Sequence, residues 1–124
     1  MPGTRDIAEL SQSYVAVWNE ADPDLRHKAV VEIWSPDARS FTPTAEYGGH
    51  AAIETRVVAS YHKFVEEGGC VFRSRGPAES HHEGIRLQWE MVPVGGGPAA
   101  SAGVQFLVLD GGGRVRLDYQ FIDH

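Results

Sequence analysis

The stretch Gly84–Ile122, GIRLQWEMVPVGGGPAASAGVQFLVLDGGGRVRLDYQFI, decides the fold. It holds three runs rich in β-branched and aromatic residues: Gly84–Pro93, Ala99–Leu109 and Gly113–Ile122. Gly95-Gly96-Gly97-Pro98 and Asp110-Gly111-Gly112-Gly113 part them, and each suits a hairpin. Upstream, Val71–Glu79 reads as a fourth strand, and His81-His82-Glu83-Gly84 as its turn. The last run alternates. Val115, Leu117, Tyr119 and Phe121 fall on one face, and Arg116, Asp118, Gln120 and Ile122 on the other.

Toward the N-terminus the period changes from two to 3.6. A helix is expected from near His50 to about Glu67, with Ile53, Val57, Tyr61, Phe64 and Val65 as its stripe and Gly68-Gly69 as its stop. Before it, Arg39–Thr42 reads as a short strand and Pro43–Gly49 as the turn back. A second helix starts at Asp22-Pro23, cap and first position. Its inward face is Leu25, Ala29, Val30, Ile33 and Trp34, and Ser35-Pro36-Asp37 ends it. The first helix runs from Thr4 or Asp6 to Asn19. Ile7, Leu10, Tyr14, Val17 and Trp18 share its inner face. A buried Tyr hydroxyl and a buried indole N–H each need a partner, either in the core or across a cavity. Helices followed by strands imply an α+β fold. Three N-terminal helices pack on one face of a strongly curved antiparallel sheet, a cone whose mouth suits a pocket.

Bulk properties narrow the function. A chain of 124 residues is read as a single domain, 1–124. Its net charge of −6, without a Lys/Arg cluster, argues against nucleic acid as a partner. No run approaches the roughly 20 apolar residues of a membrane span, and MPGTRDIAEL has no signal-peptide core. The lone Cys70 fits a reducing compartment and reads as structural or surface. The expectation is a cytoplasmic protein. The glycine clusters join strand to strand, whereas a phosphate loop needs strand then helix. His81 and His82 should diverge on a strand, so no metal site is expected.

Several segments, in this order, carry a family likeness. They are Tyr14-Val15-Ala16 through Asn19 and Asp22, Trp34-Ser35-Pro36-Asp37-Ala38, Thr42-Pro43, Gly49-His50-Ala51-Ala52-Ile53 and Asp110-Gly111-Gly112-Gly113-Arg114-Val115. Together, over about residues 5–123, they resemble the NTF2-like superfamily and within it the SnoaL-like and ketosteroid-isomerase-like branch. The resemblance implies a cone that binds a small apolar or aromatic organic molecule, and a homodimer formed through the sheet. It implies a cofactor-independent isomerase or lyase of cyclase or dehydratase type, using proton transfer. The other readings are a non-catalytic ligand-binding or protein-interaction module and a dimerisation scaffold of the same fold.

The resemblance also assigns residues. Tyr14 stands where isomerases of this kind carry a tyrosine donor. Thr42 stands at the base position, and a hydroxyl is too weakly acidic to serve there unaided. Gln105 stands where an acid would donate, so steroid-type isomerisation is not expected. Asp118 resembles the last-strand acid/base of SnoaL-like cyclases, with Gln105 as partner. The catalytic candidates are therefore Asp118, Tyr14 and Gln105. Burial among Trp18, Trp34 and Trp89 would raise the pKa of Asp118. The competing reading pairs Asp118 with Arg114 or Arg116 on an exposed sheet face. Trp18, Trp34, Thr42, His62, Trp89 and Gln120 complete the expected ligand wall.

Overall fold

Asp6 opens α1 (Ile7–Val17) by accepting hydrogen bonds from the amides of Ala8 and Glu9 at 2.9 and 3.3 Å. The structure is a computed structural model describing residues 6–123, so Thr4, the other expected start, lies outside the described residues. Asp22 caps α2 (Pro23–Ile33) in the same way, with Pro23 in the first turn, where no amide partner is needed. The third helix, α3 (Gly49–Ser60), widens into π-helical turns over Tyr61–Glu66. It stops at Gly68-Gly69, and Gly69 supplies the left-handed φ of +65°.

The strands are β1 (Trp34–Phe41), β2 (Glu46–Gly48), β3 (Cys70–Ser74), β4 (Glu79–His81), β5 (Gly84–Pro93), β6 (Ser101–Leu109) and β7 (Val115–Ile122). They form one sheet in the order β2-β1-β7-β6-β5-β3, with β4 also paired to β5. The three helices and this curved sheet make the α+β cone expected of the sequence. Leu10, Val30, Ile33, Ile53, Val57, Leu87 and Leu107 fill its base.

Several local expectations are corrected. The sheet is mixed, because β1 lies parallel to β7. The second helix ends one residue before Trp34, which is already extended and opens β1 with no loop between. Pro36, which has no amide to donate, sits where the β1–β7 pairing slips. The expected strand Val71–Glu79 breaks at Gly76-Pro77, where Gly76 has φ +91°, and becomes β3 and β4. Leu25 is exposed rather than inward. Arg26 takes the inner place, donating to the Glu20 carbonyl from Nε and Nη2 at 3.1 and 2.7 Å and lying 4.8 Å over the Tyr61 ring. In β7 a register slip turns Val115 inward and Arg116 out, while Asp118 keeps the inner face.

Two contacts set the shape of the cone. Asn19, just past α1, donates Nδ2–H to the Phe72 carbonyl at 2.7 Å and accepts from the Phe72 amide at 2.8 Å, holding α1 to β3. Gly103 lies opposite Trp89 on β5. A Cβ at Gly103 would stand 2.6 Å from the Trp89 ring and 2.3 Å from the Phe121 carbonyl. Gly103→Ala is therefore expected to lower unfolding free energy by about 1–3 kcal/mol in urea denaturation, as overpacked cores do, and to change Trp fluorescence as the Trp89 ring moves.

Candidate functional site

A cavity of about 780 Å³ opens between the helices and the inner face of the sheet. Its apolar wall includes Val15, Ala59, Phe64, Phe72, Met91 and Ile122. Its polar wall includes Tyr14, Thr42, Tyr47, Arg56, Gln105 and Gln120. Behind the polar wall lies Asp118, fully buried.

Each element delivers one partner to that carboxylate. Tyr14, on the inner face of α1, donates its hydroxyl to Asp118 Oδ2 at 2.7 Å. Trp34, where α2 turns into β1, donates its indole N–H to the same oxygen at 3.2 Å. Gln105, on β6, donates Nε2–H to Oδ1 at 2.6 Å and to the Tyr14 hydroxyl at 2.9 Å. The other end of that amide accepts from the Trp89 indole at 3.1 Å, which orients it. No buried side-chain polar atom among the described residues lacks a partner. Tyr14, Trp18 and Trp34 meet ring to ring at 5.4 to 6.3 Å and keep water from the back of the cluster.

Burial dominates the electrostatics. It raises the Asp118 pKa above the ordinary 3.8, against the pull of the Tyr14 hydrogen bond, the Arg56 charge and the Gln105 and Trp34 bonds. Burial, then the negative charge of Asp118, lifts Tyr14 well above the usual phenol value. Tyr14 is therefore a neutral hydroxyl, a donor and acceptor rather than a phenolate base.

The expected site residues divide into three groups. Tyr14, Trp18, Thr42, Trp89, Gln105 and Gln120 line the cavity. Asp118 and Trp34 stand behind it, so the expected ligand contact of Trp34 is replaced by a bond to Asp118. The competing placement of Asp118, exposed beside Arg114 or Arg116, is also replaced by burial. His62 is not part of the wall. It faces solvent, 2.7 Å from Glu66, because the π-helical turns bring Lys63 and Phe64 to the cavity in its place. Thr42 Oγ1 is occupied in its own turn, accepting from the Thr44 and Ala45 amides at 3.3 and 3.0 Å.

His81 and His82 do not diverge. His82 has φ +52°, and the two Nδ1 atoms lie 3.2 Å apart on the surface. Among the described residues no three metal-ligating side chains come together. No described helix is long and apolar enough to cross a membrane.

Sequence reasoning passed over Arg56. Its guanidinium lies 4.8 Å over the Trp18 ring and 5.5 Å over Tyr47, and donates to Ser40 Oγ at 3.0 Å. The available signal was its position three residues after Ile53 and one before Val57, within the apolar stripe of α3.

No family profile and no curated protein matches the chain, so the comparison rests on solved structures. A provisionally assigned isomerase of the SnoaL-like family from Agrobacterium tumefaciens superposes with a TM-score of 0.85 at 25% identity, covering 95% of this chain and 97% of that one. A provisionally assigned polyketide cyclase from Sinorhizobium meliloti gives 0.64 at 14% identity, covering 91% and 94%. A de novo designed NTF2-fold protein gives 0.72 at 16% identity, covering 94% and 84%. At these identities the last two carry the fold alone.

The buried cluster makes stability depend on pH. In Asp118→Asn the new NH₂ meets a donor in either orientation, the Trp34 indole or Gln105 Nε2. That mismatch should cost about 1–3 kcal/mol. The wild type carries an opposite, pH-dependent term. Because the folded pKa of Asp118 is raised, its contribution is full below 3.8 and is lost as pH rises through the folded value. Urea denaturation across pH should show the Asn variant's deficit largest below 3.8 and shrinking above it.

Proposed function

This chain belongs to the NTF2-like superfamily, in its SnoaL-like branch, and from that premise we propose that it binds a small, largely apolar organic molecule in the cone and performs proton-transfer chemistry on it. The reaction class is that of a cofactor-independent isomerase or lyase. One observation carries the reading: Tyr14 lines the cavity, and its hydroxyl is hydrogen-bonded to the buried Asp118 carboxylate behind it.

The chemistry follows from that position. With Asp118 ionised, Tyr14 donates to it. When Asp118 holds a proton, it donates to the Tyr14 oxygen and frees the phenolic proton to turn toward a ligand oxygen. Proton transfer then breaks the Tyr14 O–H bond as the ligand O–H forms. The Asp118 proton restores the phenol, and the carboxylate left behind is held by Gln105, Trp34 and the charge of Arg56. The cycle closes when the ligand C–H bond breaks, its proton passing to the Tyr14 oxygen as Tyr14 returns its own proton to Asp118. In this scheme Tyr14 is the catalytic donor, Gln105 orients it, and Asp118 is a positioning residue and proton reservoir. Trp18, Thr42, Trp89 and Gln120 form the ligand wall.

A second reading, a binding module without chemistry, also has an observation in its favour. No carboxylate or imidazole lines the cavity to take a proton from carbon. Tyr14→Phe separates the two. Dehydration of a panel of cyclic β-hydroxy ketones, followed by enone absorbance, should fall by about 10²–10⁴-fold in that variant while binding by thermal shift persists. Binding with no turnover in the wild type, or turnover unchanged in the variant, selects the module.

We also propose that a second copy of this chain covers the outer sheet face. Phe41 stacks on Tyr119 at 4.8 Å there, beside exposed Phe106 and Phe121. The helices occupy the opposite face. The rim carries both signs, Arg39 with Glu46 and Arg86 with Glu79, so identical copies meet without a like-charge field. Phe121→Glu should convert a dimer to a monomer in sedimentation velocity; a wild type that sediments as a monomer would overturn this interface.

A further inference from the structure

The charge of the cavity wall departs from that of the chain. The protein as a whole carries −6. The residues lining the cavity include Arg56 and Lys63 and no Asp, Glu or His. On the surface Arg39, Arg73, Arg75 and Arg86 each pair with a carboxylate, and the buried Arg26 is held by loop carbonyls. Arg56 has no carboxylate within ion-pair distance among the described residues. It is held by ring faces and by one hydroxyl, which uses one of its five donors. The faces of Trp18 and Tyr47 hold the guanidinium at the wall, where its remaining donors can meet an anion. Lys63 Nζ lies 5.1 Å from the Phe64 ring, on the exposed side of the same wall.

We propose that the molecule bound in the cone is a carboxylic acid, its carboxylate clamped by Arg56 with Lys63 as a second positive charge. This rests on the small-molecule reading above and narrows it from an apolar ligand to an amphipathic monoanion. The sheet order gives the rest of the pose. Arg56 stands beside β1, through Ser40, and beside α1, through Trp18. Phe72, Trp89 and Met91 lie across the sheet on β3 and β5. Tyr14, Gln105 and Gln120 lie between. A ligand spanning the cavity therefore has its anionic end at Arg56, a reactive oxygen near Tyr14, and its apolar or aromatic body against Phe72 and Trp89. The guanidinium fork suits carboxylate and phosphate alike, and the single charge of a carboxylate is repelled less by Asp118, whose charge is already felt at Arg56, than the double charge of a phosphate monoester.

Matched probes test this by calorimetry: 2-naphthoate and 4-biphenylcarboxylate against their neutral amides, with inorganic phosphate as a control. The acids are expected to bind at least tenfold more tightly than the amides. Arg56→Met should abolish that preference while amide binding persists, which shows that the variant is folded. Lys63→Met, at an exposed side chain, should reduce the preference severalfold, as should raising the salt concentration. Equal binding of acids and amides by the wild type overturns the anion assignment and leaves the pocket reading standing. Tighter binding of phosphate than of the acids overturns the carboxylate. Failure of every acid and amide to bind overturns both readings.

Discussion

One buried carboxylate organises this molecule. A fully buried acid is tolerated only if its oxygens are occupied by donors, and those donors must come from elements that can reach it. Asp118 on β7 is met by α1 through Tyr14, by the start of β1 through Trp34, and by β6 through Gln105, with Trp89 of β5 fixing the Gln105 amide. The cluster thus spans the first helix and four neighbouring strands. It sets where α1 lies on the sheet, and so where the cavity begins. Burial and hydrogen bonding oppose one another at this site, and burial prevails, so the acid holds its proton more tightly than an exposed one.

The proposed function divides the labour between two layers. The inner layer, Asp118, is closed to solvent and in that proposal stores a proton. The outer layer, Tyr14 and Gln105, lines the cavity and in that proposal passes on the effect of that proton. A hydroxyl bonded to a buried acid, on a residue that lines the cavity, is a natural donor to a developing charge. The same wall carries Arg56 and Lys63 and no acid of its own, the nearest being Asp118 behind it, in a protein that is otherwise negative. These two asymmetries give the cavity a direction, with a cationic end and an apolar end either side of the donor.

What could be read from the sequence was what is local or strongly periodic. Asp6 and Asp22-Pro23 announce helix starts because capping involves only the next three residues. The hairpins between β5, β6 and β7 follow from glycine runs between strand-like segments. Tyr14, Gln105 and Asp118 could be nominated together only through a family likeness, since they are up to 104 residues apart. The misreadings share a cause, which is tertiary choice between local options. Arg26 rather than Leu25 turns inward because loop carbonyls and a tyrosine ring, invisible in the helix pattern, receive its guanidinium. His62 leaves the cavity because α3 widens, and nothing in the local pattern marks that widening. Arg56 was hidden because a cation in an apolar stripe is normally taken to snorkel outward, and here aromatic faces hold it in.

The account stands or falls on the protonation of Asp118. A carbon-13 NMR titration of its side-chain carboxyl carbon, assigned by loss of the signal in Asp118→Asn, measures it directly. The account predicts a midpoint above the ordinary carboxylate value of 3.8, with the Tyr14 ring carbons moving over the same pH range as the hydroxyl changes partner. A midpoint at or below 3.8, or Tyr14 carbons that ignore the titration, would contradict it.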